Sequence, residues 1–152
     1  LYFIRGMTYD RQRRNPNNQD IYVTTITEDG QWSNPKKISS NINTPYREES
    51  VQIHPDGKTL YFASNGHPGM GGLDIYMSRK LEDDSWSKPI NLGYPLNTFV
   101  DENSILISPK GDLGYFSSNR KGGFGDLDLY SFILNDQFKP QPITYLKGKI
   151  ID

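Results

Sequence analysis

Asp20, Asp74 and Asp128 lie 54 residues apart and open the same short motif, Asp-Ile-Tyr twice and then Asp-Leu-Tyr. A carboxylate that opens a strand beside a glycine-rich loop has two uses. It can accept hydrogen bonds from loop N–H groups, or it can join loop carbonyls around a hard cation. The loops 69–74 (GMGGLD) and 122–128 (GGFGDLD) offer both. In the second, Asp126 adds a carboxylate to Asp128, the arrangement a calcium site needs. Its counterpart in the first loop is Gly72, so such a site would belong to one copy. Phosphate binding is disfavoured, because neither a helix signal nor Gly-Lys-Ser/Thr follows. Since a catalytic group is seldom copied into every unit of a repeat, the three aspartates read as structural ties.

Two glutamates raise a second possibility. Glu48 and Glu102 start equivalent strands, with Glu49 and Asp101 beside them. Carboxylates about 5–10 Å apart can hydrolyse glycosides. Strands that line a central channel would present them to it. The plainer reading is again a hydrogen bond at the strand start. His54 and His67 are the only histidines, and their counterparts are Ser108 and Lys121. Neither belongs to a motif. With no cysteine and no Gly-x-Ser-x-Gly elbow, the chain offers no thiol or serine nucleophile of known type. No catalytic residue, cofactor or firm metal site is expected.

The 54-residue period reaches far beyond these residues. Trp32, Ser33 and Pro35 return as Trp86, Ser87 and Pro89, and Asn43-Thr44 returns as Asn97-Thr98. Pro55, Gly57, Tyr61, Phe62, Ser64 and Asn65 return as Pro109, Gly111, Tyr115, Phe116, Ser118 and Asn119. A fixed period of this size marks a repeat architecture. Each unit reads as four short strands: 48–54, 58–64, 74–80 and 86–92, then 102–108, 113–118, 127–134 and 138–144. The outermost strand carries proline, which removes a ladder donor and belongs at an edge. Residues 1–38 supply three strands of a preceding unit, without its innermost one.

Four-stranded antiparallel units that hide their faces on one another are propeller blades. The expected fold is therefore all-β: the C-terminal part of a β-propeller over 1–144, with blade parts at about 1–38, 48–92 and 102–144. Residues 145–152 read as a linker or the first strand of a following β-sandwich. Fewer than three blades cannot close a ring, so further blades are expected upstream of Leu1.

Composition agrees. The 152 residues carry a net charge of −1, with 14 glycines, 10 prolines and 10 tyrosines. Balanced charge argues against a nucleic-acid surface. Arg11, Arg13 and Arg14 form the one dense basic cluster, in a loop five residues longer than its counterparts, and are the candidate partner contact. No apolar run is long enough to span a bilayer.

The strings PDGKTLYFASNG (55–66) and GGLDIY (71–76) resemble the TolB-type, WD40-like β-propeller repeat. With W-S-x-P at 32–35 and 86–89 and N-T-x3-E-x-S at 43–50 and 97–104, the unit is similar to a Bacteroidetes version of that repeat. The resemblance covers the whole chain. It implies an OmpA-family envelope protein: periplasmic, associated with the outer membrane, and bound to peptidoglycan through a separate domain. It also implies a non-catalytic scaffold that contacts envelope or secretion-machinery proteins, including those of type IX secretion and gliding. The chain departs from the pattern at Lys110, where the turn Asp is expected, and at Gly114, where Leu60 stands in the preceding unit. The alternative is a carbohydrate-binding or glycan-processing propeller that uses its axial carboxylates.

Overall fold

The computed structural model describes residues 1–6 and 19–144. Arg11, Arg13, Arg14 and the segment 145–152 lie outside the described residues. Among the described residues, ten strands form three antiparallel sheets. Sheet 1 has the order β1 (Tyr2–Gly6), β2 (Gln19–Val23), β3 (Lys36–Lys37). Sheet 2 has the order β4 (Glu48–Ile53), β5 (Thr59–Ser64), β6 (Asp74–Arg79), β7 (Ile90–Asn91). Sheet 3 contains β8 (Glu102–Ile107), β9 (Leu113–Ser118) and β10 (Asp128–Ile133) in chain order. Among the described residues there is no α-helix, only a 3-10 turn at Asp136–Phe138. The all-β class stands, in three repeated sheets.

Strand alternation explains how the sheets stack. Residues at even and odd positions of a strand face opposite ways. Ile21, with Tyr2 and Ile4 beside it, meets Leu60, Phe62 and Tyr76 of sheet 2. One period later, Tyr61, Ile75 and Met77 meet Ile105, Ile107 and Phe116 of sheet 3. Sheet 2 thus has a leading face covered by the next unit and a trailing face laid on the one before, and sheets 1 and 3 turn the corresponding leading and trailing faces toward it. The trailing faces share a stacked pair: Phe3–Tyr22, Phe62–Tyr76 and Phe116–Tyr130, with centroids 6.0, 5.8 and 5.5 Å apart.

Sheet 3 corrects the expected second four-stranded blade. Residues 138–144 form no strand, and β10 ends the sheet. Pro140 and Pro142 have no N–H to give a ladder. The chain instead turns at the 3-10 helix and crosses back over sheet 2. Tyr61 Oη donates to Phe138 O at 2.6 Å, Arg79 Nη2 to Lys139 O at 2.7 Å, and Gln141 N to Asp56 Oδ2 at 2.9 Å. The outermost strands are also shorter than expected. Only two residues each pair in β3 and β7, with isolated bridges at Ile26–Trp32 and Lys80–Trp86.

The departure at Gly114 has a packing cause. In sheet 2, Leu60 lies opposite Ser78; in sheet 3, Gly114 lies opposite Phe132. Large and small have changed strands. A Cβ on Gly114 would collide with the Phe132 ring and with Ile107 Cδ1. Phe132 uses the space to pack edge-on against Phe116 at 5.7 Å. Volume-conserving exchanges of this kind keep a core filled, whereas one-sided enlargement strains it. Gly114→Leu is therefore expected to cost about 1–3 kcal/mol. Gly114→Leu with Phe132→Ser, which restores the pair of sheet 2, should regain most of that loss. Urea denaturation of the single and double variants measures the coupling.

Candidate functional site

The glutamates expected near a channel are buried instead. Glu48 and Glu102 are both 0% exposed. Each closes the same clasp. Glu48 accepts from Thr44 N at 3.0 Å, Thr44 Oγ1 at 2.6 Å and Ser64 Oγ at 3.0 Å. Glu102 accepts from Thr98 N at 2.9 Å, Thr98 Oγ1 at 2.6 Å and Ser118 Oγ at 3.2 Å. The repeated Thr, Glu and Ser are three parts of one buried network that ties the incoming loop to the first two strands. Burial pushes the Glu48 carboxyl above its ordinary 4.5, against the downward pull of Thr44 and Ser64. Arg120 Nη2 reaches Glu102 at 3.1 Å, a partner that Glu48 lacks because position 66 is glycine.

The asparagine before each clasp threonine has its own task, which the repeat pattern alone did not reveal. Asn43 Oδ1 accepts from Ile21 N at 2.8 Å, and Asn43 Nδ2 donates to Ile21 O at 3.0 Å. Asn97 repeats this on Ile75 at 2.8 Å for both bonds. A side-chain amide thus pairs the outer edge of β2 and β6 where no strand residue reaches. Amide spacing matched to a peptide group was the available signal.

The strand-opening aspartates hold loops or a lysine. Asp74 Oδ2 accepts from Met70 N at 2.7 Å and Gly71 N at 3.2 Å. Asp128 Oδ2 accepts from Phe124 N at 2.9 Å and Gly125 N at 3.3 Å. The glycines of these loops permit the wrap, because a Cβ on Gly69 or Gly123 would strike the carboxylate. Among the described residues, Asp20 pairs with Lys37 Nζ at 2.7 Å. Asp126 is exposed and does not join a cluster, and no group of three potential metal ligands occurs among the described residues. Gly57 and Gly111 hold φ of 69° and 70° in the strand-connecting turns, where a side chain would be strained.

The polar residues of β4 stitch it to β8. Gln52 Oε1 accepts from Ile107 N at 2.6 Å and Gln52 Nε2 donates to Ile107 O at 2.9 Å. His54 is buried, with Nε2 3.2 Å from Ser108 O. Asn103 Nδ2 donates to Glu49 Oε2 at 2.7 Å, and Ser50 Oγ contacts Asn103. Ser50 and Ser104 sit at bulges with φ of 52° and 55°. His67 Nε2 meets Ile42 O at 2.8 Å while its ring caps Phe62 and Tyr76. One unit later Arg120, from the neighbouring sequence position, does the same: Nη2 donates to Leu96 O at 2.7 Å, and the guanidinium covers Phe116 and Tyr130.

Trp86 is packed between sheets 1 and 2 against Tyr2, whereas Trp32 is exposed. What remains open is the leading face of sheet 3. Leu73 and Ile75 are 5% and 0% exposed; their counterparts Leu127 and Leu129 are 62% and 73% exposed. Leu106 and Ile133, exposed on the same sheet, stand where Gln52 and Arg79 stand one unit earlier. Comparison with protein-family models, curated proteins and solved structures finds no match.

The buried clasp has a pH signature. A carboxyl whose folded pKa is raised binds its proton more tightly in the native state, so its contribution is greatest at low pH and is lost as pH rises through the folded value. Urea midpoints measured from about pH 4 to about pH 7 should show Glu48→Gln flattening a falling limb relative to the parent chain. Glu48→Ala, which strands the Thr44 and Ser64 donors, should cost about 1–3 kcal/mol at neutral pH.

Proposed function

We propose that this chain is a run of β-propeller blades that acts as a non-catalytic scaffold and protein-interaction module. The observation that carries the reading is how the repeated polar residues are employed. Both clasp glutamates, Asp20, Asp74 and Asp128, and both histidines make internal hydrogen bonds or ion pairs. Large apolar side chains stand exposed on the last sheet instead. Such a surface suits association with another protein surface. Stacking of equivalent faces at a constant period is how blades are joined.

The setting follows from the resemblance of the repeat to TolB-type propellers of OmpA-family envelope proteins. In this reading the module is periplasmic and associated with the outer membrane. A separate domain binds peptidoglycan, and the blades contact envelope proteins, with the type IX secretion and gliding machinery as the leading candidate. Among the described residues no helix is long and apolar enough to cross a membrane. Glycan processing by Glu48 and Glu102 is disfavoured, because their carboxylates are buried and already bonded.

Crosslinking of the full-length protein in intact cells, followed by fractionation, tests the setting. Recovery with envelope proteins and peptidoglycan fragments is expected. Recovery only from a soluble fraction, or only with free glycan, would contradict it.

A further inference from the structure

The outer edge of β10 differs from that of every earlier unit. In sheet 2 the outward backbone groups belong to Ile75, Met77 and Arg79. Ile75 is clamped by Asn97 and receives Leu92 N at 3.0 Å; Met77 lies opposite Ile90 in β7. Arg79 N donates to Ser87 Oγ at 3.0 Å, and its carbonyl accepts from Ser87 N at 2.9 Å. The equivalent residues of β10 are Leu129, Ser131 and Ile133. Among the described residues, β10 pairs only with β9. Among the described residues, its outward N–H and C=O groups therefore have no strand partner. The edge carries neither Pro nor Lys, the residues that usually guard such strands against pairing.

A cavity of about 410 Å³ runs beneath this edge, lined by Leu92, Leu96, Phe116, Tyr130, Phe132 and Phe138. One period earlier the same place is filled. Trp86 packs there with Ile42, Phe62 and Tyr76, and Ile38 lies against the cluster. These four are the counterparts of Leu96, Phe116, Tyr130 and Leu92. The indole arrives on the segment that continues into β7. In the last unit that segment is diverted across sheet 2, and Phe138 fills only part of the seat. The diverted chain is held by Tyr61, Arg79 and Asp56, so it does not supply the missing strand.

We propose that the β10 edge and this cavity form a docking site for an extended segment of a partner protein. The segment would add a fourth strand through main-chain hydrogen bonds and seat a large aromatic side chain in the cavity, a recognised form of strand addition. Its chemistry is set by the walls. Arg120, the charged residue of the lining, is already paired with Glu102, so the anchor is neutral. The residue after the aromatic is apolar. In sheet 2 that residue is Ser87, which meets Ser78 Oγ at 3.2 Å, but Ser78 has become Phe132 in sheet 3. The proposal rests on the repeat geometry and is independent of the envelope setting.

The test uses the purified full chain and a fluorescein-labelled peptide copying residues 85–92 (SWSKPINL). Saturable binding by fluorescence anisotropy is expected, with the version carrying Leu in place of Ser87 binding more tightly. Replacing the peptide's tryptophan with alanine should weaken binding about tenfold or more. Ser131→Pro in the protein should abolish it, because the Ser131 N–H points away from β9 and its loss spares the sheet 3 ladder. The peptide substitution leaves the protein untouched, so the proposal can be judged even where Ser131→Pro impairs folding. No saturable binding, or binding indifferent to the tryptophan, would overturn the site. Slow amide exchange at Leu129 and Ser131 in the peptide-free chain would overturn it too, by showing the edge already filled from within.

Discussion

A sheet with two apolar faces cannot stand alone in water, and the rest of this molecule follows from that constraint. Sheet 2 is the case in point: Leu60, Phe62 and Tyr76 face one way, Tyr61, Ile75 and Met77 the other, and all are buried. Neither face is covered by its own unit. Burial of a Leu, Ile or Phe side chain is worth roughly 1.5–3 kcal/mol, so the gain appears only once neighbours stack. Stability is then shared between adjacent units, as in other repeat architectures.

Stacking must also satisfy the polar backbone between sheets. The chain does this with a small repeated kit. Each Asn pairs the edge of the preceding unit, each Thr-Glu-Ser clasp fixes the loop that carries the Asn, and Gln52 reaches the backbone of β8. Residues that resemble catalytic carboxylates by type are, by position, joints. Their burial explains why they recur. A joint is needed at every interface, whereas a reaction centre is needed once.

The period, the all-β class and most strand positions were legible in the sequence, because strand alternation and turn chemistry are local. The leading and trailing faces were also implicit in the alternation of Leu60, Tyr61 and Phe62. Three features were not legible. The loss of the fourth strand in the last unit depends on where Phe138 and Lys139 find partners, and those partners lie in sheet 2. The Gly114–Phe132 exchange reads as a defect until the two residues are seen opposite each other. Arg120 replaces His67 from a shifted sequence position, so aligning the repeats conceals the equivalence. In each case a tertiary contact decides what local pattern cannot.

The same strand position is sealed at Ile75 in sheet 2 and open at Leu129 in sheet 3, and that asymmetry is decisive. Comparing Ile75→Ala with Leu129→Ala by chemical denaturation of this chain tests it most directly. Ile75→Ala should cost about 2–5 kcal/mol, as expected for a buried aliphatic side chain. Leu129→Ala should stay within about 0.5 kcal/mol, as for an exposed one. Equal costs at the two positions would contradict the stacking described for these sheets.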